Sequence, residues 1–151
     1  MRLTLYSDYS LRLLMLCAQH QAKGEEGRLV TIAQAAGTYR ISRNHLMKVA
    51  HELGCKGFLE TVRGRGGGLK LARPADRIRL GEVVRAMEED LGPVECFDPA
   101  TNTCPIIAAC RLKGALGRAL NAYLAVLDGY TLADLSGRNN PALSRALKLA
   151  S

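Results

Sequence analysis

The sequence lacks the features that would place the chain in a membrane or outside the cell. No window approaches the roughly 18 consecutive apolar residues that a transmembrane helix requires. The first residues have neither the uninterrupted apolar run nor the small-residue cleavage site of a secretion signal. We therefore expect a cytoplasmic protein, in a compartment that keeps thiols reduced.

The sequence also lacks the patterns that would explain its five cysteines as disulfides or as an enzyme centre. Their odd number argues against a disulfide framework, and a chain of this length buries roughly 68–70% of its unfolded surface without one. No Cys-x2-Cys pair of the zinc-ribbon type is present. No His and Asp lie at a recognisable spacing from Cys55 or Cys104, which disfavours the alternative of a redox enzyme with either thiol as nucleophile. We expect a protein that is not an enzyme.

Three cysteines, Cys96, Cys104 and Cys110, fall in one short segment whose prolines resist regular structure. Their wide spacing suits a loop wrapped around a large object such as an iron-sulfur cluster, with zinc or unliganded thiols as alternatives. Three thiolates leave one coordination position for a weaker ligand, and such a centre can react with small molecules, which indicates a sensor. Cys17 is expected to be a core residue, and Cys55 a structural residue or, alternatively, a reactive thiol.

Positive charge is concentrated in one part of the sequence. Residues 40–79 contain ten Lys or Arg against three acidic residues, an excess equal to the formal charge of +7 on the whole chain. A localised basic field favours a polyanion as partner, because each neutralised phosphate releases condensed counterions. A solvated basic face that only aids solubility is the alternative.

Hydrophobic periodicity predicts a first helix over residues 9–21, with Ser7 or Asp8 as its cap. A Gly- and Glu-rich loop follows at residues 24–27. Thr31 and Gln34 then fit a capping box, which predicts a short helix that stops near Gly37.

Ser42 is placed to cap the next helix, in which apolar residues recur at 46, 49, 50 and 53 and Gly54 forms a left-handed end. Two short helices joined by a tight turn indicate a helix-turn-helix, with an ordinary helical hairpin as the alternative. Arg43 is the expected reader of guanine, because its guanidinium fork matches that base. The DNA contacts that we expect from this unit are Thr31, Ser42, Arg43, Asn44, His45 and Lys48.

A β-hairpin is predicted next, with strands at residues 58–62 and 69–71. The glycine run between the strands lacks the Gly-Lys-Ser/Thr ending of a phosphate loop, which disfavours nucleotide binding. Two helices followed by such a hairpin are the order of a winged helix. Glycines let the backbone approach DNA, and arginines can enter the minor groove or contact phosphates, unless the tip is merely solvated. The expected DNA contacts here are Arg63, Arg65, Gly66 and Gly67.

The remaining helices flank the cysteine loop. A short helix is predicted to bury Val83, Val84 and Met87, and the longest amphipathic helix runs from Arg111 to Asp128. Its apolar stripe can pack within the chain or form a dimer seam, since paired recognition helices need a two-fold axis, and Gly114 and Gly117 would let another helix approach. The residues that we expect at this seam are Leu112, Ala115, Leu116, Ala119, Leu120 and Tyr123.

These elements predict a mostly α-helical winged helix-turn-helix fold with a β-hairpin wing and a long C-terminal dimerisation helix. We expect the DNA-binding region over residues 1–79, a linker helix with the cysteine loop over 80–110, and the dimerisation helix with a C-terminal tail over 111–151. The three parts are expected to form one compact unit.

Five segments of the chain resemble a known family. Together they are similar to the NsrR family of nitric-oxide-sensing repressors, which belongs to a bacterial winged-helix group that also includes the iron-sulfur regulator IscR. The similarity extends over nearly the whole chain, and the wing together with the cysteine loop is highly specific. The segments are Leu5–Arg12, Ile41–Leu46, Val62–Leu69, Cys104–Lys113 and Leu127–Leu135.

The resemblance implies a homodimer that binds inverted-repeat operator DNA while an iron-sulfur cluster is intact, and releases it when nitric oxide attacks the iron. It implies a 4Fe-4S cluster in preference to a 2Fe-2S cluster. It also implies Cys96, Cys104 and Cys110 as thiolate ligands and Asp8 of the partner subunit as the oxygen ligand. Regulators that sense iron or oxygen, and zinc- or thiol-based DNA-binding regulators, are the alternatives.

Two features of the sequence differ from the family pattern, one residue and one spacing. Lys113 stands where the IscR branch places a ligating histidine, which favours Asp8 as the fourth ligand. The interval between Cys96 and Cys104 is longer than the family usually shows. Asp8 also has two simpler interpretations, as a helix cap or as the partner of Arg12 in an i, i+4 ion pair.

Overall fold

The computed structural model describes residues 2–22, 29–136 and 140–147. These residues form seven α-helices, two β-strands and three short 3₁₀ turns. The predicted loop at residues 24–27 lies outside the described residues. The helices are α1 (Leu5–Ala22), α2 (Ile32–Tyr39), α3 (Arg43–Cys55), α4 (Leu80–Met87), α5 (Arg111–Asp128), α6 (Leu132–Leu135) and α7 (Pro141–Ala146), and the strands are β1 (Leu59–Val62) and β2 (Gly68–Leu71).

Helix α1 forms the centre of the core. Leu13, Leu14 and Leu16 are fully buried, and the helix packs against α3, α4, α6 and β2. It begins four residues earlier than predicted, because the Thr4 hydroxyl accepts a hydrogen bond from the Ser7 amide at 3.2 Å. The prediction that Ser7 or Asp8 caps this helix is therefore wrong, since both lie inside its first turn.

Helices α2 and α3 form the predicted helix-turn-helix. The Thr31 hydroxyl accepts from the Gln34 amide at 3.1 Å, but the Gln34 side chain bonds His20 Nε2 at 3.0 Å, so the capping box is one-sided. Helix α2 continues past Gly37 to Tyr39, because Arg40 takes the left-handed conformation (φ 55°) that ends it. The predicted stop near Gly37 is wrong by two residues.

Helix α3 ends in a Schellman motif. The Phe58 amide donates to the Leu53 carbonyl at 2.9 Å and the Gly57 amide to the Gly54 carbonyl at 3.0 Å, while Gly57 has φ 75°. Phe58 and Leu53, the two apolar residues that this motif brings together, are both buried. The left-handed residue is therefore Gly57, and the assignment of that role to Gly54 is wrong.

The hairpin forms as predicted, with β1 and β2 antiparallel and Leu59 opposite Leu71. Val30, which precedes α2, pairs with Leu69 through two backbone hydrogen bonds of 3.0 and 2.8 Å. This bridge joins the hairpin to the residue that precedes α2, so the hairpin, α2 and α3 are held as one unit.

Helices α4 and α5 have the predicted positions, and α4 buries Val83, Val84 and Met87. Arg85 of α4 forms two hydrogen bonds of 2.7 and 2.6 Å with the Asp128 carboxylate at the end of α5, which lower the pKa of Asp128. The predicted tail contains the unforeseen helices α6 and α7, and Leu132 of α6 is fully buried. No helix in the described ranges has both the length and the apolar character needed to cross a bilayer.

The two glycines at the end of α3 give a matched stability test. Gly57→Ala should lower the free energy of unfolding by about 1–2 kcal/mol, because an L side chain is strained at this positive φ. Gly54→Ala should raise it by up to about 1 kcal/mol, since Gly54 is helical and a new Cβ would lie at an ordinary 3.8 Å from the Leu59 carbonyl oxygen. Urea unfolding of both variants measures the difference, and equal effects would contradict the Schellman assignment.

Candidate nucleic-acid interface and metal centre

Helix α3 presents one apolar face to the core and one polar face to solvent. Leu46, Val49 and Leu53 are completely buried against the rest of the domain. With 3.6 residues per turn, the opposite face consists of exposed side chains. Those predicted to contact DNA, all exposed, are Ser42, Arg43, Asn44, His45 and Lys48. The hydroxyl of Ser42 precedes the helix without making a capping hydrogen bond, so it too is open to a ligand.

Eight of the ten basic residues of segment 40–79 fall into two groups, and the other two, Arg77 and Arg79, lie beyond the hairpin, before α4. Lys56, Lys70 and Arg73 form ion pairs with Glu52, Glu60 and Glu82 at 2.8–3.2 Å. A second group forms no salt bridge with any carboxylate in the described parts of the chain, and its charge is available to an external anion. This group comprises Arg40, Arg43, Lys48, Arg63 and Arg65, all exposed in the structure.

The tip of the wing is built by glycine. Gly66 has φ 80°, and a Cβ on Gly67 would collide with the carbonyl oxygen of Val62. Arg63 and Arg65 flank this turn and are exposed. The backbone at the tip therefore carries no side chains that would keep a flat or grooved partner at a distance.

Side chains from the first turns of α1 hold the recognition helix. The Tyr6 hydroxyl donates to the Lys48 carbonyl at 3.0 Å, and the ring centroids of Tyr9 and His45 lie 6.4 Å apart. Burial raises the pKa of Tyr6 above its ordinary value. Neither tyrosine was predicted from the sequence, because Tyr6 lies outside the helix predicted over residues 9–21 and the pair is spaced i, i+3 on one helix only when that helix begins at Leu5. A movement of the start of α1 would thus shift α3.

The three loop cysteines are free thiols, each partly exposed. Cys96 lies in a 3₁₀ turn and Cys110 at the N-cap position of α5. The long interval between Cys96 and Cys104 is folded by Asp98, whose carboxylate accepts from the Ala100 amide at 2.9 Å and the Thr101 hydroxyl at 3.0 Å. The extra residues therefore form a compact turn.

The donor chemistry of this loop fits an iron-sulfur cluster, since three thiols without disulfide partners lie in one segment. Across the described ranges, however, no three His, Cys, Asp or Glu side chains are close enough together to hold a metal ion. Cys17 is not a candidate, because burial raises the pKa of its thiol to about 12. A bound cluster would therefore require the loop to close or a second chain to contribute.

Asp8, the fourth predicted ligand, is held by its own helix. Its carboxylate accepts from Arg12 at 2.9 Å (Nε) and 2.8 Å (Nη2), which confirms the i, i+4 interpretation. The Asp8 side chain is 36% exposed, so it is accessible from outside the chain.

The segment between α4 and α5, which contains the three cysteines, makes contacts with α5 and with the start of α1. Phe97, next to Cys96, packs over Gly117 of α5, with ring atoms 3.8–3.9 Å from where a Cβ would stand. A Cβ at position 117 would therefore make ordinary van der Waals contact with this ring, and the approach of a second helix at Gly117 stays a prediction. Glu88, which precedes the loop, accepts from the Thr4 amide at 2.8 Å and so ties the loop to the start of α1.

Helix α5 leaves most of its apolar stripe uncovered. Leu112 and Val126 are 64% and 61% exposed, and Leu124 is the only residue of the helix that is buried. The other predicted seam residues are exposed or half-buried, namely Ala115, Leu116, Ala119, Leu120 and Tyr123. An uncovered stripe of this length is typical of a protein interface.

A helix-turn-helix bridged to a glycine-tipped wing, with exposed cations that form no ion pair among the described residues, is typical of a winged-helix DNA-binding transcriptional regulator. The chain belongs to the Rrf2 family, whose model, described as an iron-dependent transcriptional regulator, matches residues 3–138.

Similar proteins agree with this assignment. The transcriptional regulator NsrR of Bacillus subtilis (strain 168) is 50% identical over 149 residues, which cover 99% of each chain. NsrR of Shouchella clausii (strain KSM-K16) is 52% identical over 135 residues, 89% of this chain and 88% of that protein. The resemblance to NsrR is therefore confirmed, and because these relatives are transcriptional regulators, the redox-enzyme alternative is set aside.

Solved structures confirm the predicted fold. CymR, the global cysteine regulator of B. subtilis, superposes with a TM-score of 0.70 at 23% identity and covers 90% of this chain and 96% of its own. T. potens IscR gives a TM-score of 0.70 at 24% identity over 89% of this chain and 85% of its own. At these identities the likeness shows the shared winged-helix fold and nothing more.

The contact between α1 and α3 can be tested at Tyr6. Tyr6→Phe removes one hydrogen bond and leaves the Lys48 carbonyl without this donor, which should lower the free energy of unfolding by about 1 kcal/mol. Tyr130→Phe is the matched control, because the Tyr130 side chain is exposed and makes no hydrogen bond within the described residues. Chemical denaturation compares the two, and identical stabilities would show that the hydroxyl does not hold the helix.

Proposed function

We propose that this chain is a nitric-oxide-responsive transcriptional repressor of the cytoplasm, which binds inverted-repeat operator DNA as a homodimer. The observation that carries the proposal is the set of three free cysteines in a loop packed on α5, in a chain half identical to NsrR over its full length. The loop would hold an iron-sulfur centre, and α5 would join two subunits.

Four side chains would hold the cluster. Cys96, Cys104 and Cys110 would bind as thiolates after the loop closes around the cluster, and Asp8 of the partner subunit would supply an oxygen ligand. When bound, the cluster, of the 4Fe-4S rather than the 2Fe-2S type, would supply iron with which nitric oxide reacts.

The chain's own contacts link this site to the DNA-reading helix. To reach a partner's cysteine loop, the Asp8 carboxylate has to leave the Arg12 guanidinium that holds it within the helix. Tyr6 and Tyr9 flank Asp8 on α1 and contact Lys48 and His45 of α3. We infer that exchange of Asp8 between its two partners would shift the start of α1 and, through the contacts of Tyr6 and Tyr9, α3.

A small movement of this kind is enough to release DNA. Half-sites of an operator lie about 34–36 Å apart or a multiple of that, so two reading helices must keep a fixed separation to bind together. A hundredfold loss of affinity corresponds to only about 2.7 kcal/mol between the two forms. Loss of a few contacts at each half-site supplies this difference.

The residues of the DNA interface would act either as readers, which contact base edges, or as anchors, which contact the phosphate backbone or the minor groove. Arg43, Asn44 and His45, at the start of α3, would meet base edges, with Arg43 on guanine. The remaining contacts would hold the phosphate backbone or the minor groove, which orients the reading helix without specifying sequence. These anchors are Thr31, Ser42, Lys48, Arg63, Arg65, Gly66 and Gly67.

Sensing of iron or oxygen by the same centre is a second candidate function. It is favoured by the family model, whose description is an iron-dependent transcriptional regulator. The two functions predict different signals for release: nitric oxide in the first case, and iron depletion or air in the second. Operator binding measured anaerobically with each signal separates them.

The ligand assignment is tested by removing one loop thiol. Cys104→Ala should lose bound iron and sulfide, the visible absorption and high-affinity operator binding, because two thiolates do not retain a cluster. Cys55→Ala is the matched control, since Cys55 is an exposed thiol outside the loop. Both proteins are purified without oxygen, iron and sulfide are counted, and operator binding is measured before and after nitric oxide. Retention of cluster and binding in Cys104→Ala would overturn the assignment.

Asp8 and Arg12 should have opposite effects on cluster stability. Asp8→Ala removes the proposed oxygen ligand and should leave a cluster that is bound but lost faster, with an altered nitric oxide response. Arg12→Ala removes the competing cation and should leave the cluster at least as stable as in the unmodified chain. The rate at which visible absorption decays with an iron chelator measures both. If the visible absorption of Asp8→Ala decays at the wild-type rate, Asp8 is not a cluster ligand and only its ion pair with Arg12 remains.

The proposed dimer seam is tested on the exposed stripe of α5. Leu112→Glu places a charge on an apolar residue that a partner would bury, so it should shift the protein to monomer and weaken operator binding. Asn121→Glu is the control, because Asn121 is exposed on the opposite side of the same helix. Analytical ultracentrifugation reports the mass of each, and a dimeric Leu112→Glu would refute this seam.

A further inference from the structure

Met47 is an exposed apolar residue in the middle of the proposed reading surface. It is 52% exposed, although the neighbouring Leu46 is fully buried. Isolated apolar side chains are common on protein surfaces and need no explanation by themselves. The position of Met47 among the proposed base readers is what distinguishes it.

Helical geometry places Met47 beside Arg43 and Asn44. Residues three and four apart are neighbours on a helix surface, so Met47 follows Arg43 at i+4 and Asn44 at i+3. All three are exposed, and at 3.6 residues per turn Met47 projects between Arg43 and Asn44. A DNA duplex that meets Arg43 and Asn44 therefore also meets Met47.

Only one base offers an apolar partner in the major groove. Guanine, adenine and cytosine present hydrogen-bond donors and acceptors there, whereas thymine adds its C5 methyl group. Methionine has three rotatable bonds and a polarisable sulfur, so it can follow a methyl group without an ideal geometry. Burying this side chain against the other bases would bring no matching contact.

We propose that Met47 is a specificity-determining residue that recognises the methyl group of a thymine in each operator half-site; the inference rests on the proposed role of α3 in reading DNA. Met47 lies about 6 Å along the helix axis from Arg43, and successive base pairs are about 3.4 Å apart. The thymine is therefore one or two base pairs from the guanine that Arg43 contacts.

The test replaces thymine by uracil, which pairs identically and lacks only the methyl group. A duplex is first selected from a random pool by the full-length protein purified without oxygen, and each thymine is then replaced singly. One thymine in each half-site should be sensitive, with affinity falling about fourfold per methyl, as expected for one buried carbon. Met47→Ala should bind the thymine and uracil duplexes equally at that position.

Two further variants make the result specific. Met47→Leu keeps an apolar side chain and should retain the preference for thymine. Arg43→Ala should weaken binding through the guanine but keep the uracil effect. Because Met47 is exposed and alanine favours helix, Met47→Ala should fold normally, which circular dichroism checks.

Each outcome either supports or overturns the proposed role of Met47. Loss of the thymine preference in Met47→Ala, with retention in Met47→Leu, supports the proposal. Wild-type binding that ignores every methyl group, or a preference that persists in Met47→Ala, overturns it while leaving DNA binding by α3 intact. A change of oligomeric state in Met47→Ala would also overturn it and assign the residue to a protein contact. Failure of the wild-type protein to select any duplex would instead remove the proposed function.

Discussion

The burial of α1 is the constraint on which the other parts depend. Its second half is enclosed by α3, α4, α6 and β2, with Leu13, Leu14 and Leu16 fully buried. A helix enclosed in this way cannot move alone, because packed cores shift between discrete arrangements rather than deforming. Its first turns carry Tyr6 and Tyr9, which pack at the edge of the core, and Asp8, which is partly exposed. Contacts made there are transmitted directly to the helix-turn-helix.

The cations of the basic segment either pair with carboxylates of the chain or face outward, and composition alone does not distinguish the two kinds. Lys56, Lys70 and Arg73 are paired with carboxylates and belong to the scaffold, whereas Arg43 and Arg65 have no such partner in the described chain. Exposed ion pairs contribute little to stability, so the pairing mainly limits which cations face outward. Four of the cations without a carboxylate partner in the described residues lie on the two elements that a duplex would touch, Arg43 and Lys48 on α3 and Arg63 and Arg65 on the wing.

The surfaces left open by the fold adjoin one another. Phe97 anchors the cysteine loop on α5, whose stripe around Leu112 is uncovered, and Glu88 links the same loop to Thr4 at the start of α1. A second chain seated on α5 would thus lie close to the cysteines. This arrangement supports the proposal of a metal centre shared between subunits, in which dimerisation and ligand binding would depend on each other.

The sequence by itself determined the helix-turn-helix, the wing, the bounds of α5 and the loop that contains the thiols. Each of these follows from hydrophobic periodicity, turn residues or cysteine spacing, which are properties of neighbouring residues. Only the tertiary structure decided how α2 and α3 end: α2 continues past the predicted stop near Gly37 to the left-handed Arg40, and Gly57 takes the left-handed role predicted for Gly54. It also decided that Arg12 holds Asp8 and that Tyr6 reaches α3. These last features depend on which side chains compete for one partner in space, and no local pattern records that competition.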